Sequence, residues 1–295
     1  MSSESTKMSF ALPTLVQSDE LNNHLEHPNL RIVDASWHLP KAKRNGLQEF
    51  GLEHLPGAVF LDLDEVSDPE SELPHTIPTE EYFSKKIGEL GIGNDSWVVV
   101  YDTTGLFSAA RVWWMFRAFG HERVSLLDGG LPKWKAENRP LSQGRSEAKP
   151  SQFRAVFNQE MFCDWESVLE NSRDQNSLIL DARPTERFAG EVDEPRPGLR
   201  SGHIPNSKNL PFMDLLEGSD RRMLSVDQMK DKFEATSFSA DKEIICSCGS
   251  GVTACILALG LHLMGHHQVK IYDGSWTEWG SRHDLPMETG RSTSN

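Results

Sequence analysis

The residue best suited to nucleophilic chemistry is Cys248, which begins the segment Cys248-Gly249-Ser250-Gly251-Val252-Thr253. This segment follows the apolar run 243–246 and precedes an apolar stretch of helical character, so we expect it to form a loop between a strand and a helix. Its glycines allow the loop to curl with its N–H groups pointing inward, and a helix that begins near Thr253 adds the positive end of its dipole. Both effects favour a thiolate, which is the nucleophilic form of cysteine.

The neighbouring cysteines suit structural roles. Cys246 lies in the apolar strand and Cys255 in the apolar helix, where a thiol packs as a small hydrophobic group. The Cys-Ser-Cys sequence also resembles half of a metal site, but no second Cys or His pair stands at ligand spacing. We therefore predict no metal site at this pair.

An internal repeat covers much of the chain. Residues 109–134 align with residues 254–279 at an offset of 145, which places matching residues together: Gly120 with Gly265, His121 with His266, Asp128 with Asp273, and Trp134 with Trp279. A period this long indicates a domain duplication, since solenoid repeats are several times shorter.

Each copy alternates apolar strand-like runs with helical patterns. Strands are predicted at 98–101, 124–127, 243–246 and 269–272, and helices at 109–119 and 253–264. The strand–helix–strand order predicts an α/β fold with two tandem domains, each a parallel sheet flanked by helices. A polar stretch with Gly and Pro separates them. We predict a first domain over residues 1–141, a linker over 142–158 and a second domain over 159–295.

The two copies differ at the position that follows the central strand. This position is Asp102 in the first copy and Cys248 in the second. The first domain is therefore predicted to lack a cysteine nucleophile and to help close a cleft between the domains.

The net charge of -14 excludes broad binding of polyanions, so neither nucleic acid nor an anionic membrane surface is an expected partner. No apolar run approaches the length of a membrane span. Residues 1–10 lack the order of a secretory signal and are poor in arginine. Four cysteines are too few for a disulfide scaffold. We expect a cytoplasmic protein, with the mitochondrion as the alternative.

The segment CGSGVTAC at 248–255, with GHIP upstream and IYDGSW downstream, resembles the active domain of the rhodanese superfamily. The loop is most similar to that of 3-mercaptopyruvate sulfurtransferases, which reads Cys-Gly-Ser-Gly-Val-Thr. Thiosulfate sulfurtransferases of the same fold usually carry Cys-Arg-Lys-Gly-Val-Thr, a basic loop that suits a dianion. The first copy matches through RVWWMFRAFGH and SLLDGGL, and the resemblance extends over residues 16–288.

This resemblance implies the remaining site residues. The family's substrate arginines fall on Arg187 and Arg196, and guanidinium groups can clamp the carboxylate and ketone of an α-keto acid. The family's Asp–His–Ser relay falls on Asp64, His75 and Ser250, which would place the site between the domains. The resemblance also implies substrate contacts from the loop residues Gly249, Gly251, Val252 and Thr253.

The implied activity is sulfur transfer from a small-molecule donor through a Cys248 persulfide, a mechanism that requires no metal and no organic cofactor. The donor is 3-mercaptopyruvate, with thiosulfate as the rival, and the acceptor is a thioredoxin thiol, a small thiol or cyanide. A relay role, with delivery of sulfur to a protein partner in tRNA thiolation or cofactor sulfuration, remains open. A cysteine phosphatase also places its cysteine between a strand and a helix, but it requires an arginine six residues later, where this chain has Ala254.

Overall fold

Two similar halves follow one another along the chain, as the internal repeat predicts. The computed structural model describes residues 11–146 and 148–291. Each half contains a five-stranded parallel sheet flanked by helices, which confirms the predicted α/β class. Residues 1–10, where we predict no targeting signal, lie outside the described residues. None of the helices in the described part of the chain is both long and apolar enough to cross a bilayer.

The first half is built on the sheet order β1-β5-β4-β2-β3. Its strands are β1 (Leu15–Val16), β2 (Leu30–Asp34), β3 (Ala58–Phe60), β4 (Trp97–Tyr101) and β5 (Val124–Leu127). Its helices are α1 (Ser18–Asn22), α2 (Gly46–Leu52), α3 (Leu63–Val66), α4 (Glu80–Glu89), α5 (Ala109–Ala118) and α6 (Gly130–Ala136), with a 3-10 turn at Pro40–Ala42. The central strand β4 is apolar along its length because helices cover both faces of the sheet.

The second half repeats this plan with the sheet order β6-β12-β11-β7-β8. Its strands are β6 (Phe162–Cys163), β7 (Leu178–Asp181), β8 (Lys208–Asn209), β11 (Ile244–Ser247) and β12 (Val269–Tyr272), and β9 (Leu216–Glu217) and β10 (Arg222–Met223) form a separate antiparallel hairpin. Its helices are α7 (Trp165–Asp174), α8 (Thr185–Phe188), α9 (Val226–Glu234), α10 (Ala254–Leu263) and α11 (Ser275–Ser281), with 3-10 turns at Gln159–Met161 and Phe212–Leu215. The predicted strands and helices are thus confirmed to within one or two residues at each end.

The helices that follow the central strands pack together at the interface between the halves. Helices α5 and α10 belong to one hydrophobic core that spans both sheets. Trp113 on α5 lies against His262 on α10, with ring centroids 5.4 Å apart. The apolar surface of α5 is therefore used for packing between the halves. Gly120 and Gly265 end the two helices with φ values of 78° and 82°, which favour glycine.

Two histidines at matching positions have the same structural role in each half. The Nδ1 atoms of His54 and His203 each lie 2.8 Å from a backbone carbonyl, that of Phe50 and that of Phe188 respectively. Each imidazole also stacks on the ring of the same phenylalanine. These contacts show that the two histidines stabilise the same local structure in each half.

The polar stretch between the halves runs along the first one. Ser142 pairs with His54, the Ser151 amide donates to the Gly88 carbonyl, and the Val156 amide donates to the Phe119 carbonyl. We continue to propose a first domain over residues 1–141, a linker over 142–158 and a second domain over 159–295.

Candidate active site

Cys248 follows β11 directly and is only 2% exposed. Ser275, the first residue of α11, holds the Cys248 loop in place through hydrogen bonds. The Ser275 hydroxyl accepts the amides of Cys248 and Gly251, each at 3.1 Å, and donates to the Tyr272 carbonyl at 2.8 Å. One hydroxyl thereby uses both of its lone pairs and its proton to fix the loop.

The loop amides differ in availability. The Gly251 amide is taken by Ser275, so this residue contributes a turn with φ of 72°, and the expectation of an inward amide is wrong here. The amides of Gly249, Ser250, Val252 and Thr253 have no hydrogen-bond acceptor within the described residues. Helix α10 begins after Thr253 without a side-chain cap. The loop therefore retains unpaired donors that suit an anion.

The first half places a carboxylate at the equivalent position. Tyr101 pairs with Asp34 in the first sheet as Ser247 pairs with Asp181 in the second, so Asp102 corresponds to Cys248. The prediction that these two residues replace one another is confirmed by this register.

The Asp102 carboxylate occupies the donors of its own loop. Its Oδ2 accepts the amides of Phe107 at 2.7 Å and Ala109 at 3.0 Å, and its Oδ1 accepts the Thr104 amide at 2.9 Å. In the first half the loop amides therefore surround a side-chain carboxylate. In the second half the same kind of loop surrounds a thiol, which leaves the donors for a negative charge that forms on sulfur.

The structure brings Asp64, His75 and Ser250 together across the interface. His75 Nδ1 lies 2.8 Å from the Ser250 hydroxyl, and its Nε2 lies 3.1 Å from Asp64 Oδ1. The Trp37 indole donates to Asp64 Oδ2 at 3.0 Å, and its ring meets the His75 ring edge to face at 4.6 Å. A neutral His75 that donates Nε2–H to Asp64 leaves Nδ1 free to accept the serine proton.

The electrostatics of this relay follow from burial. Burial lowers the pKa of His75, and the hydrogen bond and charge of Asp64 oppose this effect. The hydrogen bond from His75 holds the pKa of the exposed Asp64 below its ordinary value. The pair at neutral pH is therefore a neutral imidazole beside a carboxylate, as a proton relay requires.

Both predicted arginines lie beside the loop. A Cβ added to Gly249 would be 3.3 Å from Arg187 Nη2 and 3.9 Å from Arg196 Nη1. Arg187 pairs with the buried Glu194 at 2.5 Å. Burial lowers the pKa of Arg196, and negative charge on Cys248 opposes this shift, so this guanidinium interacts electrostatically with the sulfur.

The Cys248 loop and both arginines line one cleft of about 540 Å³ between the halves. The cleft contains Cys248, Gly249, Ser250, Val252 and Thr253 from the loop, the two arginines, and an apolar wall that includes Trp37, Phe107 and Phe212. The described residues contain no group of three or more His, Cys, Asp or Glu side chains placed to hold a metal.

Sequence reasoning missed Arg111, which lies beneath the relay. This side chain is fully buried on α5. Its Nη2 donates to the His75 carbonyl at 2.7 Å and to Asp273 Oδ1 at 2.6 Å. It supports a His75 backbone with a left-handed φ of 64°. An arginine in the first turn of a largely apolar helix, where the second copy has Ile256, was the available signal.

The chain is similar to known sulfurtransferases in family, sequence and structure. The rhodanese-like domain family matches residues 17–137 and 164–282. Thiosulfate/3-mercaptopyruvate sulfurtransferase 1 of Arabidopsis thaliana is 45% identical, over 95% of this chain and 79% of its own. Human 3-mercaptopyruvate sulfurtransferase is 46% identical, over 86% of each chain. The crystal structure of SseA from Escherichia coli, a 3-mercaptopyruvate sulfotransferase, gives a TM-score of 0.82 at 41% identity, covering 89% of this chain and 98% of its own.

Proposed function

The chain belongs to the rhodanese family, and from this premise we propose that it transfers sulfur from 3-mercaptopyruvate to a thiol through a persulfide on Cys248. The protein is a sulfurtransferase. The observation that carries the specific proposal is the setting of one sulfur: Cys248 heads a loop of unpaired amides that faces two guanidinium groups across Gly249.

Binding of the donor is the first step. Arg196 and Arg187 hold the carboxylate and carbonyl oxygens of the keto acid, as bidentate guanidinium groups do elsewhere. Glu194 fixes Arg187 in place from behind. The cationic pair orients the C–S bond of the donor toward Cys248.

Sulfur transfer follows. The Cys248 thiolate attacks the donor sulfur, the C–S bond breaks, and its electron pair forms the enolate of pyruvate. The proton of the donor thiol passes through Ser250 and His75 to the enolate carbon, which releases pyruvate and leaves an anionic persulfide. The amides of Gly249, Ser250, Val252 and Thr253 stabilise the outer sulfur, as the first-half amides stabilise the Asp102 carboxylate.

An acceptor then removes the outer sulfur. A thiolate forms a bond to that sulfur, the S–S bond to Cys248 breaks, and its electron pair restores the Cys248 thiolate. A thioredoxin thiol, a small thiol or cyanide has suitable chemistry. All four cysteines are free thiols, which supports a reducing compartment, and we propose the cytoplasm or the mitochondrion.

Thiosulfate is the second candidate donor. Arginine and lysine at the positions of Gly249 and Ser250 would suit a dianion, and this chain has neutral residues there. The arginines beside Gly249 also occupy the space that such side chains would need. We therefore propose 3-mercaptopyruvate as the preferred donor, to be tested by parallel rate measurements with both.

Mass spectrometry after incubation with 3-mercaptopyruvate and no acceptor tests the central claim. We expect one added sulfur atom on the wild-type protein and on Cys163→Ser, which removes a cysteine outside the cleft. Cys248→Ser should gain none. Persulfide on Cys248→Ser, or its absence from the wild-type protein, would refute the proposal. Transfer of labelled sulfur to candidate proteins would identify a relay role.

A further inference from the structure

One segment of each half crosses the interface and donates a backbone amide to the other half. The acceptor is the aspartate that follows β12 in the second half or β5 in the first. The Ile77 amide of the first half donates to Asp273 Oδ2 of the second at 2.7 Å. In return, the Met223 amide of the second half donates to Asp128 Oδ1 of the first at 3.1 Å. Because Asp128 and Asp273 are equivalent in the repeat, the two crossings are reciprocal.

Two residues before each of these amides, the chain presents a side chain from a left-handed backbone. In the first half this residue is His75, with φ of 64°, and in the second it is Arg221, with φ of 52°. Arg221 packs against the first-half loop that follows Asp102. A Cβ added to Gly105 of that loop would be 3.1 Å from the Arg221 Cβ. Arg221 therefore has in the first half the position that His75 has in the second, and Arg221 lines the cleft that contains Cys248.

The charge of this cleft is opposite to that of the protein. In a chain with a net charge of -14, the described cleft lining contains no Asp, Glu or Lys and has five arginines: Arg44, Arg183, Arg187, Arg196 and Arg221. A concave surface of one sign concentrates ligands of the opposite sign.

Three of the five arginines are neutralised by carboxylates. The pairs are Arg44 with Glu49 at 2.7 Å, Arg183 with Asp181 at 2.7 Å and with Glu194 at 3.0 Å, and Arg187 with Glu194 at 2.5 Å. Arg196 and Arg221 have no carboxylate within ion-pair distance among the residues described. The cleft therefore offers two uncompensated cations, Arg196 near the sulfur and Arg221 where the second half packs against the loop of the first.

The two half-reactions place their sulfur atoms differently. Cys248 Sγ attacks the donor sulfur directly, whereas the acceptor attacks the outer sulfur of the persulfide, about 2 Å farther out. The acceptor therefore approaches from the side of the cleft away from the Cys248 loop. A cleft of about 540 Å³ is in the range that holds drug-sized ligands, which leaves room beyond a small keto acid.

Building on the proposed function, we propose that Arg221 binds the carboxylate of the sulfur acceptor, and that this acceptor is a small thiol with a carboxylate on a flexible chain. Arg196 and Arg187 serve the donor, and Arg221 serves the acceptor. The otherwise inactive first-half loop thus forms the base of a second subsite.

Steady-state kinetics with a matched pair of acceptors test this proposal. Glutathione carries carboxylates, and its diethyl ester presents the same thiol without them. At saturating 3-mercaptopyruvate, Arg221→Met should raise the KM for glutathione about 10-fold or more, which is the effect of losing a charge-assisted hydrogen bond. The KM for the diester and the kcat with both acceptors should be unchanged, and Arg221→Lys should restore part of the discrimination.

Arg222 supplies the matched control, because it is adjacent, pairs with Asp220 at 3.2 Å and does not line the cleft. Arg222→Met should leave both KM values as in the wild-type protein. An equal effect of Arg221→Met on glutathione and its diester, no effect on either, or the same effect from Arg222→Met would overturn the proposal. Turnover with thioredoxin but not with glutathione would also overturn it, in favour of a protein acceptor.

Persulfide formation separates this inference from the function on which it rests. Arg221→Met should gain one sulfur from 3-mercaptopyruvate at the wild-type rate when no acceptor is present. A wild-type protein that forms no persulfide would contradict the proposed function. A persulfide that forms normally, with an unchanged KM for glutathione in Arg221→Met, would contradict the acceptor subsite alone.

Discussion

Asp34 and Asp181 end equivalent strands in the two halves, yet only one has a cationic partner. Asp181 is bound by the buried Arg183 at 2.7 Å. Asp34 has Ser36 at the corresponding position, so its Oδ1 accepts the Ser36 amide at 2.9 Å while its buried Oδ2 has no partner in the described structure. Burial, assisted by the charge of Asp102, raises the pKa of Asp34 to about 6.

The raised pKa of Asp34 sets how much Asp34→Asn should change the free energy of unfolding, and how that change depends on pH. A rise in pKa from 3.8 to about 6 corresponds to about 3 kcal/mol of destabilisation once the group is ionised. Because the folded state holds the proton more tightly, stability falls as pH rises from about 4 to 6, and the full penalty is present above that range. Asp34→Asn removes it, so we expect a stability gain of about 3 kcal/mol at pH 7.5 that shrinks below about 1 kcal/mol at pH 4.

Urea unfolding of the variants at several pH values measures this gain. The control is the same substitution in the other half, Asp181→Asn, which separates a buried pair and should cost about 3 kcal/mol. A gain from Asp34→Asn that does not change between pH 4 and pH 7.5 would show that ionisation is not its cause. Destabilisation by Asp34→Asn at pH 7.5 would refute the reasoning outright.

Two predictions concern the relay. Asp64→Asn removes the carboxylate that raises the pKa of His75, so His75 should stay neutral to lower pH. The acidic limb of the plot of kcat/KM against pH should therefore move to lower pH, and kcat should fall about 10-fold. Arg111→Lys keeps the charge but replaces the planar guanidinium that contacts both the His75 carbonyl and Asp273; persulfide formation should slow about 10-fold while the KM for the donor stays the same.

The Arg111 variant has a control that separates positioning of His75 from a general loss of stability. Arg117→Lys lies on the same helix as Arg111 and pairs with the exposed Glu122, so it should leave the rate of persulfide formation unchanged. Equal slowing by the two lysine variants would assign Arg111 a role in folding alone. For Asp64→Asn, an acidic limb that stays in place or moves to higher pH would contradict the coupling to His75.

The sequence alone predicted those features that depend on local pattern. Alternating apolar runs and helical stretches placed the strands and helices, because burial of one sheet under helices imposes that periodicity. The repeat established two domains, and the glycine-rich loop before an apolar helix predicted Cys248 as the nucleophile. The position of Asp102 opposite Cys248 also followed from the alignment of the copies.

The relay residues came from family resemblance, since residues 175 apart in the chain have no local pattern that joins His75 to Ser250. The contact between Arg111 and Asp273 spans 162 residues and was not foreseen. The paired state of Arg187 and the uncompensated charge of Arg221 likewise depend on which side chains the folded halves bring near them.

Local sequence thus determined the strands, the helices and the loop that carries Cys248, because backbone geometry and burial act over a few residues at a time. Tertiary structure decided which charges are neutralised, which amides remain unpaired and which residues meet across the cleft. The physical reason is that each of these properties depends on distances between side chains and loops on different elements, some within one half and some from separate halves. Those distances are set only when the elements of each half, and then the two halves, pack against one another.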